Sequence, residues 1–161
     1  MSFDLHRLGY SFVKKPLVVG GRAMEYYDLR KSGEDIDLVA TAEDVAALIK
    51  RFPDRIKDIW GDLGVCPFNF EIFKTICLLD YDYLSEGAVE LGDVLMISLE
   101  RLLVMKTLGM HKEKYLEDTR LAAKRMLDEL YKGYNGCKAE NESMVSGTNV
   151  TYLMRKGPDR I

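Results

Sequence analysis

The sequence predicts an α+β fold, in which a small mixed β-sheet has helices packed mainly on one side and carries a C-terminal helical pair. Short apolar runs rich in β-branched residues occupy 17–19 and 36–39, as is typical of buried strands. Residues 68–73 alternate in side-chain direction with the period of a strand. The segments 98–109 and 112–132 instead contain apolar residues at helical spacing, which indicates two helices.

The length of 161 residues suits one domain with a small helical appendage. We expect an α/β core at 1–97, a helical pair packed on the core at 98–136, and a loosely ordered tail at 137–161. Lysine and arginine number 23 and aspartate and glutamate 26, so the net charge is −3. This balance gives no overall indication of nucleic-acid binding, although it is compatible with a local basic patch.

The chain has the composition of a cytoplasmic protein. Its N-terminal residues lack a basic segment followed by an apolar one, so we expect no secretory signal. No apolar run approaches the roughly 20 residues that span a membrane, so we expect no membrane partner. The three cysteines are odd in number and widely spaced, which argues against a disulfide framework or a zinc knuckle: Cys66, Cys77 and Cys137.

The first half of the chain divides at glycines and prolines. Residues 2–14 predict a short amphipathic helix, and a strand at 17–19 then leads into a helix over 22–29. Thr41 begins a second helix that ends at Phe52-Pro53. Residues 54–67 fit either a short strand or an irregular segment, and we expect Trp60 in the core rather than as a platform for base stacking.

In the second half, Phe68, Phe70 and Ile72 are expected on one face of a strand, with Glu71 on the other. Residues 80–83 read as a strand end or loop, and 88–91 and 94–97 as short extended pieces. Ser98 is the expected N-cap of the next helix. Two glycines, Gly133 and Gly136, are expected to end the last helix.

Two aspartates on the second predicted strand suggest a metal site. Asp35 and Asp37 share one face of that strand, while Ile36 and Leu38 point the other way into a core. Neighbouring carboxylates repel each other and lose hydration, and a divalent cation would remove both penalties. Magnesium prefers oxygen ligands and commonly takes one or two carboxylates together with substrate phosphates. The alternative is that these carboxylates form a solvated edge.

Gly20 and Gly21 end the first predicted strand. Glycines at this place let the backbone approach a bulky anion closely. A helix over 22–29 would direct its free N–H groups and the positive end of its dipole to the same point. The alternative is that the two glycines form only a tight turn.

The segment VVGGRAMEYYDL…EDIDLVA resembles the DNA polymerase beta-like nucleotidyltransferase superfamily. The signature of that superfamily is Gly-Gly or Gly-Ser at a strand–helix turn, followed by Asp-x-Asp on the next strand. The chain looks most like the small bacterial and archaeal branch, which includes minimal nucleotidyltransferases and toxin-type members of toxin–antitoxin and phage-defence systems. The resemblance covers about residues 15–130.

The resemblance implies further site residues. Members carry a third carboxylate on a later strand, for which Glu71 is the favoured match and Asp80 the rival. They also carry a Leu-Leu-x-x-Lys helix, matched here by LLVMK with Lys106, and a segment like Arg-x-Lys-Asp-x-x-Asp. The second segment, HKEKYLED, departs from that pattern, with Lys112 in place of the arginine and Tyr115 in place of the first aspartate. Lys106 is either a site residue or a helix lysine that extends to solvent.

The resemblance implies transfer of a nucleoside monophosphate from a nucleoside triphosphate to an acceptor hydroxyl, with Mg²⁺ or Mn²⁺ as cofactor. Asp35 and Asp37 would bind both ions, and Glu71 would bind one of them and accept the acceptor's proton. The backbone of Gly20 and Gly21 would hold the triphosphate, with Arg22 or Lys106 as counter-charge.

No P-loop pattern is present, which excludes that class of nucleotide site. The acceptor stays open among a small molecule, a tRNA end and a protein hydroxyl. The alternative function is a catalytically weak relative that binds nucleotide or a protein partner as a regulator or antitoxin.

Overall fold

The computed structural model describes residues 3–147, without the side chains of 134–136. The described chain combines a mixed β-sheet with six α-helices, so the α+β class is confirmed. It forms two compact units, Met1–Ala122 and Ala123–Ile161. This division falls inside the long helix at Glu113–Leu130. The strands and the candidate site residues all belong to the first unit.

Seven strands form the main sheet, in the order β3-β4-β5-β2-β1-β9-β8, and β6 and β7 form a small separate hairpin. The strand bounds are β1 Leu17–Val18, β2 Ile36–Val39, β3 Ile56–Ile59, β4 Asp62–Val65, β5 Phe70–Phe73, β6 Thr75–Ile76, β7 Leu79–Asp80, β8 Val89–Leu91 and β9 Val94–Met96. Strand β2 pairs parallel with β5 and antiparallel with β1, and β1 pairs parallel with β9. The sheet is therefore mixed, as predicted.

The helices are α1 Gly20–Tyr26, α2 Ala42–Arg51, α3 Tyr81–Leu84, α4 Leu99–Leu108, α5 Glu113–Leu130 and α6 Tyr134–Val145. The two predicted N-caps are confirmed, because the Thr41 hydroxyl accepts from the Asp44 N–H and the Ser98 hydroxyl from the Arg101 N–H. Within the described residues, no helix has both the length and the apolar character needed to cross a bilayer.

The core lies around β1, β2 and β5. Their apolar side chains are almost fully buried together with residues of α1, α2 and α4, among them Leu17, Val18, Met24, Leu38, Leu48, Phe70, Ile72 and Leu102. The apolar residues around 17–19 and 36–39 and the alternation at 68–73 are the patterns from which the sequence located these strands.

The N-terminal segment differs from the expected helix over 2–14. Only Leu5–Leu8 turn, as a 3-10 helix that ends at Gly9 with φ 55°. A side chain at Gly9 would meet the guanidinium of Arg51, which packs against it and donates to the Leu8 carbonyl at 2.9 Å. This long-range contact fixes the end of the helix, and a local pattern cannot reveal it. The first residue of the expected helix, Ser2, lies outside the described residues.

The ambiguous stretch 54–67 forms a hairpin of β3 and β4, and the expected burial of Trp60 is wrong. Trp60 and Gly61 make the two-residue turn of that hairpin, and 97% of the Trp60 side chain is exposed. The neighbouring apolar residues misled the prediction, because a hairpin places its turn outside the core whatever residues compose it.

The tail expected to be loose from residue 137 is helical as far as Val145. Its sequence is polar, and Lys138 and Glu142, one turn apart at 3.9 Å, give only weak local support. Gly136 therefore lies within α6 instead of ending the preceding helix. Residues 148–161 of the expected tail lie outside the described residues.

Candidate functional site

Asp37 and Glu71 occupy directly opposite positions on the neighbouring strands β2 and β5. The parallel register pairs these two residues, so their side chains lie on the same face of the sheet. Ile36 and Ile72, which point to the other face, are buried in the core. The two strands therefore bring two partly buried carboxylates together on the same face of the sheet.

The other carboxylates named from the sequence have different surroundings. Asp35 lies one residue before β2, is exposed, and lines the same cleft as Asp37 and Glu71. Asp80 is on β7 in the separate hairpin, where it accepts a hydrogen bond from the Tyr83 N–H at 2.9 Å and caps α3. Of the two rivals for the third carboxylate, Glu71 is the one beside Asp37.

Gly20 is packed against the carboxylate of Asp37. A Cβ added at Gly20 would lie 1.9 Å from Asp37 Oδ2. Gly20 also has φ 60°, a backbone conformation that residues other than glycine rarely adopt. The Gly21 N–H donates a long hydrogen bond of 3.4 Å to the same oxygen. Helix α1 begins at Gly20, two residues earlier than predicted, so the glycines form its first turn. The Gly-Gly pair and the second aspartate are therefore one packed unit.

The surroundings of Asp37 disfavour its charge. Burial raises the pKa of Asp37, and the negative charges of Glu71 and Asp35 raise it further. The Gly21 N–H and the ammonium of Lys106 act in the opposite direction without cancelling the rise. A second cation placed between these carboxylates would stabilise the ionised form.

Glu71 already has such a cation in Lys57. The Lys57 ammonium lies 2.9 and 3.0 Å from the two carboxylate oxygens of Glu71. Lys57 comes from β3, two strands away, and its pKa is raised mainly by the hydrogen bond to Glu71. A metal bound by Glu71 would have to take the place of this ammonium.

Lys106 and Arg30 share one buried carboxylate, that of Asp118. Arg30 donates to Asp118 Oδ1 at 2.6 Å and to Oδ2 at 2.9 Å, and the Lys106 ammonium lies 2.8 Å from Oδ2. Lys106 is 4% exposed and Asp118 1% exposed. Burial raises the pKa of Asp118, but the hydrogen bonds from Arg30 and Lys106 outweigh it and hold the pKa below its usual value. The cluster carries two positive charges and one negative charge at the inner wall of the cleft.

Tyr115, which departs from the family pattern, packs inside the cleft. Its ring lies 5.0 Å from the Lys106 ammonium and 5.8 Å from that of Lys112. A Cβ at Gly109 would lie 2.8 Å from Tyr115 Cδ2, so Gly109 makes room for the ring. Lys106 is therefore held by Asp118 and Tyr115 and does not extend to solvent.

Arg22 is turned away from this group. Its guanidinium donates to Ser32 Oγ at 2.8 Å and to Glu25 Oε2 at 3.3 Å, which ties α1 to the loop before β2. Its Nε is buried without a hydrogen-bond partner among the described residues. The proposed role of Arg22 as counter-charge has no support from this geometry, whereas Arg30 lines the cleft.

The carboxylates of the sheet, together with Arg30, Lys106 and Tyr115, border one cleft of about 800 Å³. Its lining includes the carboxylates of Asp35, Asp37 and Glu71 and the cations of Arg30, Lys106, Lys112 and Lys114. Apolar and aromatic side chains also line it: Ile59, Trp60, Phe73, Ile76, Leu78, Met105, Leu108 and Tyr115. The volume lies in the range of small-molecule and cofactor sites. Among the described residues, no three acidic, histidine or cysteine side chains are grouped closely enough to form a ready metal site.

Sequence reasoning missed Arg30 and Lys57. Arg30 is 88 residues from Asp118 in the chain and Lys57 is 14 residues from Glu71, so each pairing depends on the assembled sheet. The only local signal was that Arg30 and Lys57 flank segments assigned to the site. That signal is shared by many surface lysines and arginines.

No protein-family model, curated protein or solved structure matches this chain. Any function must therefore be argued from the geometry of the cleft.

Proposed function

We propose that this chain has a nucleotidyltransferase fold and is a metal-dependent nucleotidyltransferase. One observation carries the proposal: Asp37 and Glu71 lie opposite each other on β2 and β5, with Gly20 packed against Asp37, in a cleft that is also lined by lysine and arginine side chains. A nucleoside triphosphate has the matching chemistry, because it needs a metal-binding carboxylate group, counter-charges for its phosphates and an apolar surface for its base.

The carboxylates fit Mg²⁺ or Mn²⁺ in their chemistry. Asp37 is disfavoured as an anion by burial and by its two acidic neighbours, and a divalent cation relieves that cost. Asp35 and Asp37 would hold the ion, and Glu71 would join them after releasing Lys57. When bound, the metal would neutralise charge on the triphosphate and on the attacking oxygen.

The lysine and arginine side chains that line the cleft would stabilise the phosphates. Arg30 and Lys106 have fixed positions because both bind Asp118, and their cluster keeps a net positive charge. A fixed positive charge favours the pyrophosphate leaving group without a rearrangement of the protein during the reaction. Lys112 and Lys114 at the cleft wall would add charge for the outer phosphates.

The reaction joins the acceptor to the α-phosphate. The acceptor oxygen forms a bond to the α-phosphorus as the bond from that phosphorus to the bridging oxygen of the β-phosphate breaks, and pyrophosphate leaves with the electron pair. The acceptor's proton passes to a carboxylate, for which Glu71 is proposed, since it borders the cleft beside Asp37. The acceptor class remains one of a small molecule, a tRNA end or a protein hydroxyl.

The ion pair of Lys57 with Glu71 favours a second candidate function. A carboxylate that keeps a lysine as partner is unsuited to bind metal and accept a proton. In that case the chain would bind nucleotide or a protein partner as a regulator or antitoxin, in the manner of a catalytically weak relative.

Two variants separate these candidates. Calorimetry with Mg²⁺ and a triphosphate should give similar affinity for the wild type and Glu71→Gln, because Asp35 and Asp37 remain. With the correct acceptor, Glu71→Gln should release pyrophosphate about 10²–10⁴ times more slowly than the wild type. The transferase proposal fails if the wild type binds triphosphate and yet releases no pyrophosphate with pools of RNA, protein and small molecules. That outcome would favour the regulatory function.

A further inference from the structure

Trp60 is the one tryptophan of the chain and stands at the rim of the cleft with 97% of its side chain exposed. An indole ring is among the largest apolar groups in proteins and usually covers much of its surface. Here it occupies the turn between β3 and β4, where an asparagine or glycine would be the ordinary choice.

The backbone at Trp60 adds to this cost. Trp60 has φ 59° and Gly61 has φ 98°, so both residues of the turn are in the left-handed half of conformational space. For a bulky residue this conformation is unfavourable. Strain of this kind is retained where the surrounding structure enforces it, and it often marks a functional position.

A second hairpin turn lies against the first. Cys77 and Leu78 join β6 to β7 with φ 51° and 62°, and 69% of Leu78 is exposed. A Cβ at Gly61 would lie 3.2 Å from Leu78 Cδ2, so the two turns are in contact. Asp62, the first residue of β4, accepts hydrogen bonds from the N–H groups of Cys77 at 2.7 Å and Leu78 at 2.9 Å.

These contacts hold together the two turns whose apolar residues Ile59, Trp60 and Leu78 form a lip of the cleft. Asp62 also accepts from the Thr75 hydroxyl at 2.8 Å, so one carboxylate ties three groups of the second hairpin to the first. A preformed lip loses little freedom when a ligand binds. Ile59, Trp60 and Leu78 all border the cleft that contains Asp37 and Lys106.

The opposite character of the two ends of the cleft identifies the occupant. The inner end carries metal-binding carboxylates and the Arg30–Lys106 charges, which suit phosphates. The rim carries an open aromatic face, which suits a flat, π-bonded ring. One molecule with a polyanionic end and an aromatic end is a nucleotide, and base stacking on tryptophan tolerates any base because every base has a π-face.

We propose that Trp60, which lines the cleft together with Ile59 and Leu78, is the stacking platform for the base of the nucleoside triphosphate that is bound there. The inference rests on the proposed nucleotidyltransferase function, since it assigns the base of that same donor. It assigns a base-binding surface to a hairpin turn, separate from the residues expected to bind phosphate or metal.

Fluorescence tests the proposal directly, because every tryptophan photon from this chain comes from Trp60. ATP, GTP, CTP and UTP are each titrated with Mg²⁺, and inorganic tripolyphosphate serves as a probe without a base. We expect the nucleotides to quench the emission and shift it to shorter wavelengths, saturating with the calorimetric binding curve. Tripolyphosphate should bind without such a change.

Two variants of Trp60 complete the test, Trp60→Ala and Trp60→Phe. The control is Val89→Ala, because Val89 lies on β8, at the edge of the sheet opposite to β3. We expect Trp60→Ala to weaken nucleotide binding about 5- to 150-fold and leave tripolyphosphate binding unchanged, as loss of a stacking partner predicts. Trp60→Phe should lose less, and Val89→Ala nothing. Melting curves verify that each variant is folded.

Three results would overturn the proposal. If nucleotides bind with unchanged emission and Trp60→Ala retains full affinity, the base lies elsewhere, while the transferase proposal stands. If single-stranded RNA changes the emission and mononucleotides do not, the lip holds an acceptor strand and not the donor base. If neither nucleotides nor tripolyphosphate bind, both the platform and the proposed function are wrong.

Discussion

The α-carbon of Gly20 and the carboxylate of Asp37 are in direct packing contact, so that a Cβ at Gly20 would lie 1.9 Å from Asp37 Oδ2. This contact links the glycine turn to the aspartate strand and explains why the two motifs occur together in this chain. It also leads to a prediction with a built-in control.

We predict that Gly20→Ala destabilises the protein and Gly21→Ala does not. Gly20→Ala places a methyl group into Asp37 at a left-handed φ, which should lower the free energy of unfolding by about 2–4 kcal/mol. A Cβ at Gly21 makes only ordinary contacts, with Ser32 Cβ at 3.7 Å and with Ser32 Cα and Gly33 N at 3.8 Å, and alanine favours the helix. Urea unfolding measures both. In a double-mutant cycle, Asp37→Ala should recover part of the loss from Gly20→Ala, and strictly additive effects would refute the contact.

We predict that Asp37→Asn stabilises the folded protein at neutral pH. The pKa of Asp37 is raised on folding, so its ionised form costs stability at neutral pH, and protonation removes that cost as the pH falls through the raised pKa. The advantage of Asp37→Asn should therefore be present at neutral pH and disappear in acid. Thermal unfolding over a pH series measures it, and Mn²⁺ titration of the same variant should show weaker binding. If Asp37→Asn unfolds the protein at neutral pH, the carboxylate is structural.

The buried cluster of Arg30, Lys106 and Asp118 predicts unequal effects of its members. Asp118→Asn leaves the buried Lys106 without its carboxylate and should cost about 3–5 kcal/mol. Lys106→Met should cost much less, because Asp118 keeps both hydrogen bonds from Arg30. Since the pKa of Asp118 is lowered on folding, its stabilisation is present above the unfolded pKa and lost as the pH falls through the folded one. Equal losses from both variants in urea unfolding would contradict this account.

Lys57 should compete with metal for Glu71. We predict that Lys57→Met raises Mn²⁺ affinity in calorimetry, because the metal no longer displaces an ammonium from the Glu71 carboxylate. Lys14→Met is the matched control, since it breaks an exposed pair with Asp82 that is not part of the cleft. Unchanged or weaker Mn²⁺ binding in Lys57→Met would remove Glu71 from the proposed ligand set.

We predict that Trp60, in its left-handed turn conformation, lowers the free energy of unfolding. Trp60→Asn introduces a residue that tolerates the left-handed turn conformation, and it removes almost no packing, since the side chain is 97% exposed. We therefore expect a gain of about 0.5–1.5 kcal/mol in the free energy of unfolding, measured in urea. A loss of stability would mean that the indole ring packs in solution, and a stacking platform would then be the wrong description.

The sequence predicted the fold well where burial produces a pattern. The buried runs of β1, β2 and β5 and the periodic helices α4 and α5 are visible locally, as are the N-caps Thr41 and Ser98. The burial of Trp60 was predicted wrongly because strand pairing decides which residues form the turn of a hairpin. Apolar character alone does not distinguish a core residue from an exposed one. Glu71 beside Asp37 required the β2–β5 register, which connects residues 34 positions apart and is not encoded in either segment alone.

The candidate site was predictable in part for the same reason. Gly20, Asp35 and Asp37 follow from short motifs, and Lys106 from a helix pattern. Arg30 replaces Arg22 at the cleft because Asp118 binds it across the fold, while Arg22 is tied to Glu25 and Ser32 nearby. Charge alone did not tell these two arginines apart.

The transfer of an α-phosphate label tests the central proposal most directly. Wild-type protein with Mg²⁺ and pools of RNA, protein and small molecules is given either α-labelled or γ-labelled nucleoside triphosphates, with Asp37→Asn in parallel. We predict that α-label becomes covalently attached to one acceptor pool, that γ-label leaves as pyrophosphate, and that Asp37→Asn attaches neither. Attachment of γ-label, or absence of attached α-label although the triphosphate binds, would contradict the account.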